Sequence, residues 1–180
     1  MIHLRYIILS LSMLLMVASC QKESYTKSGN ENHNIQELYK ANQSKISIDK
    51  GVAGTLIMKE GNCMPMIGEG ENPNPCLSYP VERIIQVYEP TSPEEAEGRG
   101  PSFEEVHTKL VAETNSDEDG FFQVELDTGR YSLFIIEKGK YYRNMWKDNL
   151  IGPVTVEIDS VTIENRSEER RVGKECTLRC

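Results

Sequence analysis

TNSDEDG, FFQVEL and DTGRYSLFII follow one another over residues 114–136, alternating turn chemistry with β-prone runs, and the architecture follows from them. Asp119-Gly120 marks a chain reversal, because glycine reaches positive φ at little steric cost. Phe122, Val124 and Leu126 alternate with Gln123 and Glu125, the two-residue period of a strand with one apolar and one wet face. Gly129 opens the next run. Residues 131–136 are largely apolar on both faces, which suits a central strand covered on both sides.

Working outward, the same rhythm recurs. Gly51, Val52, Gly54, Leu56 and Met58 begin a first strand, and IIQVY at 84–88 makes a second. Residues 106–113 read as a third, with Thr108, Leu110 and Ala112 alternating against polar neighbours. Residues 140–146 are rich in aromatics. Val154, Val156 and Ile158 alternate with Thr155 and Glu157, and residues 161–163 add a last short strand. Seven or eight short strands with Gly, Asp and Asn turns and no long helical period predict an all-β fold, an antiparallel β-sandwich. Residues 20–50 are dominated by Lys, Glu, Ser, Asn and Gln and predict a flexible, disordered tether, with one helical turn at 35–39. The chain length allows one domain, placed at 51–165, and no second core.

The amino end has the layout of a signal peptide at residues 1–19: a basic start ending at Arg5, then an apolar run over 6–17 broken only by Ser10 and Ser12. That run is shorter than the roughly 20 apolar residues a membrane-spanning helix requires. Val17-Ala18-Ser19-Cys20 resembles the bacterial lipobox, which implies lipidation of Cys20. Acyl chains there would hold the chain on a membrane with about 0.8 kcal/mol per buried methylene. Gln21, where an Asp would favour inner-membrane retention, points to the outer membrane of the cell envelope. The formal net charge is −8, and it becomes more negative when Arg5 leaves with the signal. That balance argues against a nucleic-acid partner.

Four cysteines follow Cys20. Cys63 and Cys76 bracket a Gly-, Pro- and Asn-rich loop, and export permits a disulfide between them, worth roughly 3 kcal/mol for a loop of that size. The alternative is a metal site, which needs about four ligands; neither a histidine nor a second close cysteine pair accompanies these two. RSEERRVGKEC at 166–176 resembles the product of reading through adapter or vector sequence. Residues 166–180 are therefore read as a non-native tail in which Cys176 and Cys180 carry no functional weight. The other reading is a genuine end strand with a tail disulfide.

GVAGTLI at 51–57, Gly61-Asn62, Met64-Pro65, Pro80-Val81 and the IQVY at 85–88 resemble the opening of carboxypeptidase-regulatory-like domains. Thr114 to Gly120, then FFQVEL and GRYSL, resemble that family's T-x-x-D-G-x-F…G-x-Y signature. EGNCMP at 60–65 with VYEP at 87–90 is similar to a subgroup in Bacteroides-type surface lipoproteins. The resemblance spans about residues 51–163 and implies a prealbumin-like (Ig-like) topology with a structural or recognitional role. Cys63, the insertion at 66–79 and the acidic stretch at 89–105 depart from the pattern.

Candidate chemistry is sparse. Asn115-Ser-Asp117-Glu-Asp119-Gly120 matches the start of a calcium loop, but Leu126 occupies the closing position where an acid is required, so a hairpin turn is the better reading. Intradiol ring-cleaving dioxygenases share a prealbumin-like core, yet their iron needs two tyrosines and two histidines. Past the signal this chain has only His33 and His107. His107 falls on a polar strand face, as a solvated residue rather than a general base. The run at 94–97 reads as a solvated loop.

Tyr141, Tyr142 and Trp146, with Asn144 and Asn149 nearby, are a candidate aromatic platform for a sugar or peptide; the alternative is that they belong to the core. No cofactor and no enzymatic activity are expected. The expected function is a lipid-anchored, non-catalytic interaction or structural module that meets a cell-envelope protein or glycan. The alternative is a carbohydrate- or peptide-binding accessory lipoprotein, and a dioxygenase-like enzyme is a remote third.

Overall fold

The computed structural model describes residues 34–61, 63 and 76–170, with side chains described as far as Arg166. The signal peptide, Cys20, Cys176 and Cys180 lie outside the described residues. In chain order the elements are α1 (Ile35–Gln43), β1 (Gly51–Glu60), β2 (Leu77–Pro80), β3 (Ile84–Tyr88) and, after a 3-10 turn at Pro93–Glu95, β4 (Ala96–Arg99). β5 (Ser102–Val106), β6 (Leu110–Asn115), β7 (Phe121–Val124), β8 (Gly129–Glu137) and β9 (Lys140–Tyr142) follow. The short β10 (Trp146–Lys147) and β11 (Leu150–Ile151) lead to β12 (Pro153–Val156), β13 (Val161–Ile163) and β14 (Arg166–Arg170).

The fold is an all-β sandwich. β1 organises one sheet: antiparallel β7 and β2 line one flank in succession, while β13 and then β14 run parallel along the other. The second sheet is ordered β4-β5-β9-β8-β3-β6, with β12 also paired to β8. Between the sheets lie Val52, Leu56, Ile85, Phe122, Leu133 and Val154 with their neighbours. Each such side chain contributes roughly 1.5–3 kcal/mol when fully buried.

β8 is apolar on both faces for a reason visible in its alternation. Leu133 and Ile135 enter the main core, whereas Phe134 points outward into a second cluster with Tyr88, Ala96, Phe103 and Ile151. The β4–β5 hairpin, built from the acidic stretch, supplies this second cover.

Two glycines allow close approaches in the first sheet. Gly120 has φ +71°, and a Cβ there would collide with the Leu56 carbonyl, whose peptide nitrogen bonds to the Gly120 carbonyl at 2.8 Å. At Gly54 a side chain would meet the Glu164 carbonyl, where the chain steps from β13 to β14. That step is stitched to β1 by Glu164 N–H on the Ala53 carbonyl (2.8 Å) and by Thr55 N–H on Asn165 Oδ1 (3.1 Å).

Several expectations are corrected. The segment expected to be tether contains a nine-residue helix, α1, docked on β1. Asn42 Nδ2 donates to Thr55 Oγ1 (3.0 Å) and to the Asp119 carbonyl (2.9 Å), so polar groups rather than apolar area specify the docking. Among the described residues fourteen strands form where seven or eight were expected; the acidic stretch makes a hairpin, and the last strand is divided at Glu164-Asn165. The β1–β13 and β1–β14 pairings are parallel in an otherwise antiparallel fold. The single strand expected over 106–113 is interrupted at 107–109, where the chain passes from one side of the sheet to the other between β5 and β6. Ile158 stands 75 % exposed in a turn instead of alternating into the core. Apart from these corrections, β14 carries strand pairing with β1 through Arg170.

Candidate binding cleft

Cys63 and Cys76 are joined in a disulfide, with Cα atoms 4.6 Å apart, at the end of the β1–β2 pair. The DG turn is held by its own amides. Asp117 Oδ1 accepts from the N–H of Asp119 (2.9 Å) and of Phe121 (2.8 Å), while Lys45 Nζ bridges Asp117 and Asp119 at 3.0 and 2.7 Å. Leu126, at the position a calcium loop would fill with an acid, is buried in the main core.

His107 is exposed, with Nε2 at 3.3 Å from Glu97 Oε1. Glu97, Glu105 and His107 place one ligand atom each within 4.8 Å of the others. All three face water on the β4–β5 hairpin, and exposed groups of this kind pair commonly without an ion.

The three residues of the expected aromatic platform are divided by the pleat. Tyr141 lies opposite Ile136 and Tyr142 opposite Ile135, so their rings leave opposite faces of β9. Tyr141 packs edge-on against Phe134 (6.0 Å) and Tyr88 (5.9 Å). Burial, followed by the neighbouring Tyr141 hydroxyl, raises the Tyr88 phenol well above its ordinary range. These rings are core. Trp146 is not: the residue is 55 % exposed, with its ring centroid 6.4 Å from that of Phe103. Gly100 leaves room for it, since a Cβ at that position would strike the indole.

Beside Trp146 opens a cleft of about 440 Å³ lined by Gly100, Pro101, Arg143, Asn144 and Trp146. The Arg143 N–H donates to the Pro101 carbonyl at 2.7 Å, fixing the two sides of the cleft to each other. Gly152, with φ +53°, accommodates the stem and Nε of Arg143; a side chain there would overlap them.

Arg143 is the unexpected member. It is 1 % exposed, and Nε, Nη1 and Nη2 all lack a hydrogen-bond partner among the described residues. Burial lowers its pKa to about 9, helped by the charge of Arg166 and opposed by Glu164. Glu164 is already engaged in an ion pair with Arg166, itself shifted down by burial. Two arginines thus share one carboxylate in a low-dielectric setting.

Sequence reasoning named Trp146 but passed over Arg143, Gly100 and Gly152. A lone Arg inside YYRNMW reads as an exposed polar position, and only the tertiary closeness of Gly152 makes space to bury it. Comparison of the chain with protein-family models, curated proteins and solved structures returns no match.

Proposed function

We propose that the chain is a lipid-anchored, non-catalytic binding module of the bacterial cell envelope, held at the outer membrane through Cys20 and presenting the Trp146 cleft to a glycan or peptide. The observation that carries this reading is the half-exposed Trp146 beside an open depression lined by Gly100, Pro101, Arg143 and Asn144. Flat apolar rings with polar groups at the rim suit saccharide faces, and clefts of this size suit small ligands. The resemblance of the sequence to carboxypeptidase-regulatory-like domains of surface lipoproteins fits a recognitional role, and a strongly acidic chain suits neither nucleic acid nor an anionic surface. Tyr88, Phe134 and Tyr141, packed edge to face, favour a second reading in which the sandwich is a structural module and the cleft is incidental.

Screening the full chain, purified in detergent, against a glycan array and a peptide library separates the two. Saturable binding that Trp146→Ala removes supports the module with a cleft. Binding unaffected by that substitution moves the reading to the structural module. For the anchor, Cys20→Ala is expected to abolish acyl labelling and membrane retention; a Cys20→Ala chain that still carries acyl label would refute it.

A further inference from the structure

We propose that Glu97, Glu105 and His107 form a site for a divalent transition metal, Zn²⁺ being the ion that fits, which bridges the two strands of the β4–β5 hairpin. The inference does not depend on the binding-module reading.

The pairing of the acidic stretch brings these three side chains together. Ala96 lies opposite Val106 and both meet the second apolar cluster, so Glu97 and Glu105, the next opposed pair, turn to water. Phe103 reaches the same cluster although it stands three residues from Val106. The register shift between Glu97 and Gly98 makes this possible and leaves Glu105 on the wet face. His107, one residue past Val106, returns to that face. Its N–H donates to the Glu95 carbonyl at 2.9 Å, so the imidazole is carried on paired backbone rather than on a free loop.

Exposed ion pairs of opposite sign are ordinary, but a carboxylate set against a carboxylate is not. Like charges directly opposite on neighbouring strands cost stability. Nothing relieves this pair: the Glu105 carboxylate has no hydrogen-bond or ion-pair partner among the described residues, and Lys140 on β9 is engaged with Glu104 instead. Glu97 meets only His107 Nε2, at 3.3 Å, which is long for a charge-assisted hydrogen bond. It is the right length for two donors on one ion. Ligand atoms about 2.0–2.1 Å from a tetrahedral Zn²⁺ stand about 3.3–3.4 Å apart. The three ligand atoms already lie within 4.8 Å of one another, and Glu105, held by no other group, can turn to complete the set.

The donors also choose the ion. Ca²⁺ and Mg²⁺ take six or more oxygen ligands, whereas an imidazole with two carboxylates suits Zn²⁺ and leaves its fourth position to water. A divalent charge there turns the repulsion between Glu97 and Glu105 into a bridge across the hairpin.

The test uses the full chain in detergent with isotope-labelled histidine, since His33 and His107 are the histidines past the signal. Zn²⁺ is added in a chelator buffer that fixes the free ion, so that thiols elsewhere in the chain do not compete. The ring-nitrogen resonances of His107 should shift saturably at a free Zn²⁺ concentration about 10–100-fold below the one that moves His33. Glu97→Gln and Glu105→Gln, both at exposed positions, should each weaken the response by on the order of 10-fold. Ca²⁺ in place of Zn²⁺ should leave His107 unmoved.

His107 responding no earlier than His33 overturns the inference, because an isolated imidazole would do the same; this comparison needs no variant to fold. A tight response that survives Glu97→Gln and Glu105→Gln together overturns the three-ligand site. A response to Ca²⁺ at equal concentration overturns the choice of ion.

Discussion

Asn42 on the helix and Thr55 on the first strand are joined side chain to side chain at 3.0 Å, in a contact closed to solvent. The helix is therefore a layer of the domain. Asn42→Ala removes this bond and the one to the Asp119 carbonyl. We expect a loss of roughly 1–3 kcal/mol of unfolding free energy, measured by urea denaturation. An unchanged midpoint would show that α1 contributes nothing to the fold.

Gly120→Ala tests the turn. A methyl group at φ +71° combines backbone strain with a collision at the Leu56 carbonyl. Strain of this kind costs on the order of 1–3 kcal/mol before the clash is counted. The thermal midpoint should fall clearly, whereas Gly139→Ala, with nothing within 4 Å of the new methyl, should fall by less.

Replacing both Cys63 and Cys76 by Ser opens a crosslink with a sequence separation of 13. The expected cost is roughly 3 kcal/mol, and the same loss should follow reductant treatment of the unmodified protein. Matching denaturation curves with and without reductant would contradict it.

Arg143→Met should make the protein more stable, because an unpaired buried charge gives way to an apolar side chain of similar length. The expected gain is about 1–4 kcal/mol. Its pH dependence follows from the lowered pKa of about 9. At pH values below that, both folded and unfolded chains carry the proton and the full penalty applies. As pH rises above about 9 the folded state sheds it first, so the advantage of the methionine variant should shrink. Denaturation of both proteins at pH 7 and pH 10 gives the comparison. A gain that grows with pH would contradict the assignment.

Much of the sandwich is legible in the sequence because its signals are local. Phe122, Val124 and Leu126 alternate over a few residues, and all three are buried in the main core. Leu133, Phe134 and Ile135 read as covered on both sides, and they are. Docking of α1 is not legible, since an amide–hydroxyl bond leaves no periodic trace in a polar segment. The cleft was half legible: Trp146 stood out by residue type. Tyr141 and Tyr142 looked equivalent to it until the pleat sent their rings to opposite faces. Arg143 was hidden because its burial depends on Gly152, which only the returning chain brings beneath it.

The parallel flank of β1 has a bearing on how the protein reaches this state. Thr55 is bonded to Asn165 across 110 positions of sequence. At ordinary synthesis rates, the later partner emerges roughly 5–20 s after the earlier one. Throughout that interval an apolar edge stands open, able to recruit strands from other nascent molecules. A chaperone that holds the polypeptide unfolded until translation has passed residue 165 would remove this hazard, so aggregation during biogenesis should track ribosome speed between codons 55 and 165.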